Sequence, residues 1–164
     1  MKTLIIFSST YGYAKECAEK LKEKLRGEVF LVNAMSEVIP PIDQFDNIIV
    51  GGSIYMGHIH TNIKTYCNSN VCFLKNKRIG LFLCCGLVED FEQSMNNAFP
   101  EELLKNAVAK ECFGGELRMD KMKFVHKIIT GIMKNAVAKE GKELPKPMPE
   151  NIVKLAGAIN IGSY

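Results

Sequence analysis

The sequence predicts an open α/β fold, with a parallel sheet covered by helices on both faces. Three observations carry this. Short apolar runs alternate with segments whose apolar residues recur every three or four positions. The runs are continuous rather than alternating, as strands buried on both faces must be. The 164 residues suit a single domain over 1–164, since a chain near this length buries roughly 68–70% of its unfolded surface.

The elements follow in order. "TLIIF" (3–7) reads as a short buried strand. Ala14, Cys17, Ala18, Leu21 and Leu25 then recur at helical spacing, and Gly27 stops the helix. "EVFLVN" (28–33) is a second strand, and Pro40–Pro41 make "SEVIPPIDQF" a loop. "NIIVGG" (47–52) is the third strand, with "SIYMGHIH" read as loop and "TNIKTYCNSN" as a short helix. "RIGLFLCC" (78–85) is the fourth strand, and "VEDFEQSMNNAFPEELLKNA" a helix broken near Pro100. "KECFGGEL" (110–117) suggests a fifth strand, followed by helix over about 119–139, a proline-rich connector "LPKPMP" and a final helix in "ENIVKLAGAINIG". Strands joined by helices make right-handed crossovers, which gather the strand-to-helix loops at one edge. The loops after strands one, three and four are therefore the candidate site. "KNAVAKE" occurs twice, at 105–111 and 134–140, with no further repeat around it, so no tandem architecture is expected.

Composition excludes several classes. A formal net charge of +3 gives no reason to expect nucleic acid. After Lys2 only five residues, "TLIIF", precede the first serine, so no signal peptide is expected. The longest charge-free apolar stretch, "IGLFLCCGLV", is far short of the ~18 residues of a membrane span. Six cysteines are present without a CxxC or zinc-type histidine spacing, so free thiols in a reducing cytoplasm are expected.

The seam between the first strand and first helix, "SSTYGYAK" (8–15), carries the chemistry. A helix N-terminus presents unpaired N–H groups and partial positive charge. Ser8, Ser9 and Thr10 add hydroxyls, and Gly12 lets backbone approach a ligand. That suits a phosphate, whereas a plain N-cap needs one hydroxyl. GxxxxGK[ST] and GxGxxG are absent. "SST" and "GGS" stand where a receiver domain would carry acids. One C-x5-R match, Cys112 to Arg118, starts inside the expected fifth strand and would set Glu116 against a bound phosphate, so a cysteine phosphatase is not favoured.

"IIFSSTYGYAKECAEKL" resembles the FMN phosphate loop of the flavodoxin family, whose pattern is roughly Ser/Thr-x-Thr-Gly-x-Thr. Ser9, Thr10, Tyr11, Gly12, Tyr13 and Ala14 fall on it, with Tyr11, Tyr13 and Ala14 in place of the usual threonine, asparagine and threonine. "IIVGGSIYMGHIH" and "FGGELRMDKMKFVHKIITGIMK" are most similar to the flavodoxin-like protoporphyrinogen oxidases, which insert a helical segment after strand five. The resemblance implies a flavodoxin-like three-layer sandwich with a five-stranded parallel sheet of order 2-1-3-4-5, and FMN as cofactor. It implies that Ser8 to Ala14 hold the phosphate. Ser53, Ile54, Tyr55, Met56, Gly57 and His58 would flank one side of the flavin ring, and Cys84, Cys85, Gly86 and Leu87 the other. Cys85 stands where many flavodoxins carry a stacking tyrosine.

Electrostatics then bear on function. Acidic neighbours make a second electron on a flavin costly, while a positive or donor group favours two-electron chemistry. His58 and His60 lie between Ser53 and Asn62 with no acid among them; each is either a donor to the ring or an exposed loop histidine. The segment 118–139 has six Lys/Arg and one acid, +5 of formal charge against −2 for the rest. Met122, Val125, Ile129, Ile132 and Met133 give it an apolar face. It either packs on the sheet or meets an anionic membrane or apolar substrate. The resulting expectation is an FMN oxidoreductase like the protoporphyrinogen oxidases, passing electrons to a quinone-type acceptor. A soluble electron carrier serving a redox partner protein and a flavodoxin-fold module without FMN are the alternatives. A cytoplasmic location is expected, with peripheral contact at the inner face of the membrane through 118–139 as the alternative to a helix packed on the sheet.

Overall fold

The computed structural model describes residues 1–116, 120, 123–141 and 145–162, with backbone alone at 124–126, 129 and 133. Five parallel strands form the sheet: β1 (Lys2–Ser8), β2 (Glu28–Asn33), β3 (Asn47–Tyr55), β5 (Arg78–Cys84) and β6 (Ala109–Cys112), in the order β2-β1-β3-β5-β6. The parallel strands, counted along the chain, thus run 2-1-3-4-5, as the resemblance implied.

Each central strand feeds two cores. Leu4 and Ile6 of β1, Ile48 and Val50 of β3, and Leu81 and Leu83 of β5 face one apolar cluster. Ile5 and Phe7, Ile49, and Phe82 and Cys84 face the other. Period-two alternation delivers neighbouring side chains to opposite faces, which is why these runs are apolar throughout. Helices α1 (Tyr13–Lys24) and α7 (Pro149–Asn160) cover the second face, with Ala14, Cys17, Ala18 and Leu21 packed against Leu155, Ala156 and Ile159. The first face is covered by α2 (Thr61–Ser69), α3 (Val71–Leu74), α4 (Phe91–Ala98) and α5 (Glu101–Asn106), through Ile63, Cys67, Leu74, Met95 and Leu103. A Cβ on Gly51 would strike the Phe82 ring and carbonyl, so only glycine lets β3 approach β5 there. Phe82 stacks on Phe113, with centroids 4.7 Å apart.

The expected loop "SIYMGHIH" is corrected. β3 continues through Tyr55 and turns back as β4 (His58–Ile59), pairing antiparallel with Tyr55 opposite His58. The two turn residues, Met56 at φ 50 and Gly57 at φ 79, are both left-handed, as a two-residue type I′ hairpin requires. The usual signal is Asn-Gly or Asp-Gly; methionine tolerates this conformation at a cost of roughly 1–2 kcal/mol, so its sequence does not announce the turn. The fifth parallel strand is also shorter than expected, ending at Cys112 rather than 117.

The helix that follows β6, α6, runs Phe124–Lys139. Of its expected apolar face, Met122 lies outside the described residues, as do the side chains of Val125, Ile129 and Met133; Ile132 is exposed. Arg118, the far end of the C-x5-R match, also lies outside them. No helix among the described residues is long and apolar enough to cross a membrane.

Candidate functional site

The seam after β1 forms a tight cradle. Gly12 is the N-cap of α1 at φ 91, a left-handed conformation that L side chains resist, and it brings no capping side chain. The cap comes from three residues earlier: the Ser9 hydroxyl accepts the N–H of Gly12 at 3.1 Å and of Lys15 at 3.2 Å. Ser9 thus gathers two donors around one oxygen at a positive helix end. Ser8 is buried beneath the loop against Gly52, and its hydroxyl has no hydrogen-bond partner among the described residues. Ala14 is fully buried and faces the core rather than the loop.

The two tyrosines take different parts. Tyr13 donates its hydroxyl to the Phe113 carbonyl at 2.8 Å, tying the start of α1 to the end of β6. Burial first, and the neighbouring Cys17 next, push its phenol up, so it remains a donor. Tyr11 lies near Tyr55, with its hydroxyl toward the Lys123 backbone; burial and Tyr55 both raise its pKa.

A cavity of about 360 Å³ opens at the carboxyl edge of the sheet. The three predicted loops meet there: Thr10, Tyr11 and Tyr13 from the first, Ser53 to Gly57 from the second, Cys84 to Leu87 from the third. Ser8, Ser9, Gly12 and Ala14 are not part of this lining, and neither is exposed His58. His60 has another part: its Nδ1 accepts the Asn62 N–H at 3.3 Å as the N-cap of α2. Sequence reasoning missed the remaining wall. Gln93, Ser94 and Asn97 come from α4, and Gly115 and Glu116 follow β6. Thr130, Lys134 and Val137 of α6 form a roof, with Thr130 buried and Lys134 exposed. Their spacing, i, i+4 and i+7, is one helix face, a signal that was present but had no partner surface to be matched with.

Two of four neighbouring thiols, Cys84 and Cys85, line the cavity. Cys84 faces the α1 side beside Cys17, and Cys85 faces the opposite side beside Cys112. All six cysteines are free, and no group of three or more possible metal ligands occurs among the described residues.

A family profile described as a flavodoxin domain matches residues 4–143. Among curated proteins, protoporphyrinogen IX dehydrogenase (quinone) of Escherichia coli strain K12 is 27% identical over 115 residues, covering 65% of this chain and 62% of that protein. The chain thus matches less than two thirds of that relative's length. Among solved structures, a flavodoxin of Streptococcus pneumoniae aligns over 99% of both chains with a TM-score of 0.62 at 15% identity. A WrbA-like flavodoxin of Agrobacterium tumefaciens covers 66% of this chain and 74% of its own, with a TM-score of 0.50 at 18% identity. At these identities the structural likeness concerns the fold.

Proposed function

Because this chain belongs to the flavodoxin-domain family, whose members are FMN-binding redox flavoproteins, we propose that it acts on an apolar small molecule held between its flavin and the α6 roof. The residues present suit FMN. The cavity has the volume of a ligand site and a mostly apolar surface of tyrosines, a methionine and a leucine, with Asp90, Gln93, Asn97, Glu116 and Lys134 among its polar groups. Beside it, next to the lining residues Thr10, Tyr11 and Tyr13, lies a helix N-terminus with a left-handed Gly12 and the Ser9 hydroxyl between two N–H donors. Ser9 to Tyr13 would hold the phosphate, and the loops 53–57 and 84–87 would border the ring. When bound, FMN supplies the electron chemistry, and the protein's part is to bind, orient and exclude water.

The observation that carries the reading is the roof. Thr130, Lys134 and Val137 overhang the cavity, where a carrier serving a redox partner protein needs an open flavin edge. A quinone- or porphyrinogen-like compound fits such a covered, largely apolar site, and Lys134 at the rim suits an acidic substituent. The relative's name, protoporphyrinogen IX dehydrogenase (quinone), agrees with this substrate class. Exposed Ile128 and Ile132 lie one turn apart on α6, a small apolar strip on a basic segment that suits contact with an anionic membrane from which an apolar acceptor could be drawn.

The test is spectroscopic, then enzymatic. Purified protein is expected to be yellow and to release FMN on denaturation; colourless protein that refuses added FMN would sink the reading. Oxidation of protoporphyrinogen with a soluble quinone is expected next. Tight FMN binding with turnover of neither partner would leave the electron-carrier reading in its place.

A further inference from the structure

We propose that the β2 edge of the sheet pairs with the β2 edge of a second copy of this chain, antiparallel and centred on Phe30. The two edges of the sheet differ. At the β6 edge the chain is covered. Asn151 donates its side-chain amide to the Cys112 carbonyl at 2.8 Å. Just beyond, Met148 donates its N–H to the Phe113 carbonyl at 3.1 Å, and Gly115 donates to the Lys146 carbonyl at 3.2 Å. On the other side β2 ends the sheet and pairs with β1 alone among the described residues.

The register shows which groups β2 leaves open. Glu28 and Ala34 donate their N–H groups to the Met1 and Phe7 carbonyls. In a strand the N–H and C=O of one residue point to the same side, and the side alternates along the chain. Phe30 and Val32 therefore also turn their backbone to β1, and Val29, Leu31 and Asn33 turn theirs outward. The Asn33 N–H is taken by the Glu37 carboxylate at 2.7 Å, which closes the row at that end. Gly27, at φ 84, ends the extended chain at the other. Val29 and Leu31 remain, an open row of the kind that templates strand addition. A twofold arrangement with Val29 opposite Leu31 of the second copy, and the reverse, uses both completely. Moving the register either way would bring in Gly27 or the capped Asn33. At the centre Phe30 faces Phe30 of the second copy as a close, non-hydrogen-bonded pair. Phe30 is 44% exposed even though its ring meets Phe45 edge-on, so it has surface left to bury. Charge agrees. Antiparallel pairing carries Arg26, just before the strand, toward the other copy's strand end, where Glu37 sits. Neither side chain has an ion-pair partner among the described residues. One surface thus supplies both the apolar partner and the opposite charge, as a twofold contact requires. No β2 residue lines the cavity, so the contact does not rest on the flavin reading.

Sedimentation equilibrium of the full chain over a range of concentrations is expected to show a reversible dimer. Phe30→Lys and Phe30→Glu each set like charges face to face and should weaken it by more than about tenfold. An equimolar mixture of the two variants should form the mixed dimer. If circular dichroism shows either variant unfolded, hydrogen exchange on the wild type decides instead. There the Val29 and Leu31 amides should exchange slowly where the dimer is populated and quickly on dilution. A monomer at every concentration, a dimer that folded variants keep, a folded mixture that stays monomeric, or exchange at Val29 and Leu31 that ignores concentration would overturn the proposal.

Discussion

Tyr13→Phe separates a structural clamp from a phosphate ligand at the same loop. The substitution removes one hydroxyl, which donates to the Phe113 carbonyl at 2.8 Å. That carbonyl also accepts the Met148 N–H at 3.1 Å, so it is not orphaned when the hydroxyl goes. The hydroxyl's contact with the Cys17 thiol goes too, but sulfur bonds weakly, so the loss should stay near that of one ordinary hydrogen bond, about 0.5–1.5 kcal/mol, rather than the ~1–3 kcal/mol of a buried group left unpaired. For a domain of this size, each kcal/mol corresponds to roughly 2–4 °C in Tm. Thermal unfolding should accordingly show a fall of a few degrees. FMN affinity, read by quenching of flavin fluorescence on titration, should change by less than about twofold, under ~0.5 kcal/mol. A melting temperature equal to wild type with a tenfold weaker Kd would refute the reasoning and make the Tyr13 hydroxyl a ligand of the cofactor.

Other substitutions test neighbouring steps of the argument. Gly12→Glu should abolish FMN binding, because it adds a carboxylate at the helix N-terminus and a side chain at φ 91; wild-type affinity by fluorescence titration would put the phosphate elsewhere. His60→Ala should cost about 0.5–2 kcal/mol in urea unfolding through loss of the α2 cap, and His60→Asn should recover most of it. Thiolate absorbance should reveal Cys112 titrating near about 6, held down first by the Cys85 thiol and then by the Gly114 N–H, and Cys85→Ala should move that midpoint upward. Since the folded value lies below an unfolded thiol's ~8.5, this thiolate's contribution to stability is full above that pH and fades as pH falls through the folded value. An unmoved midpoint in Cys85→Ala would show that the Gly114 N–H governs the sulfur.

Much of this was legible because it rests on local pattern. The runs at 3–7, 47–52 and 78–85 could only be doubly buried strands, and the site loops follow from their order. The hairpin was not legible, because Met56 takes a conformation that its side chain does not favour and β3 needed β4 to show itself. His60 looked like a flavin neighbour because a histidine cap carries no sequence signature of its own. The heptapeptide "KNAVAKE" shows the limit most directly. At 105–111 it ends α5 and enters β6, with Ala109 opposite Gly80 and Val108 donating its N–H to the Ile79 carbonyl at 2.8 Å. At 134–140 the same residues lie in the last turns of α6, ending in the residue just past it. Alanine and lysine favour helix in both places. The open edge of β5 offers the first copy a ladder of hydrogen bonds, and tertiary context overrides the shared preference.

The division of labour within the site follows from the same distinction. Its phosphate end is built from contiguous sequence: a strand end, a hydroxyl, a left-handed glycine and a helix start, all within residues 8–15. Short-range geometry suffices there, so Tyr11, Tyr13 and Ala14 can depart from the family pattern while the N–H groups stay in place. The opposite end is assembled from α4, the loop after β6 and α6, far apart in the chain. Nothing local requires Lys134 to stand over a cavity; its place depends on where α6 comes to rest. On the proposed reading the cradle would take the phosphate of the cofactor, and α6 would decide what reaches its ring. Substitutions at Thr130, Lys134 and Val137 should accordingly alter selectivity among acceptors and donors before they alter FMN affinity, whereas those at Gly12 should do the reverse.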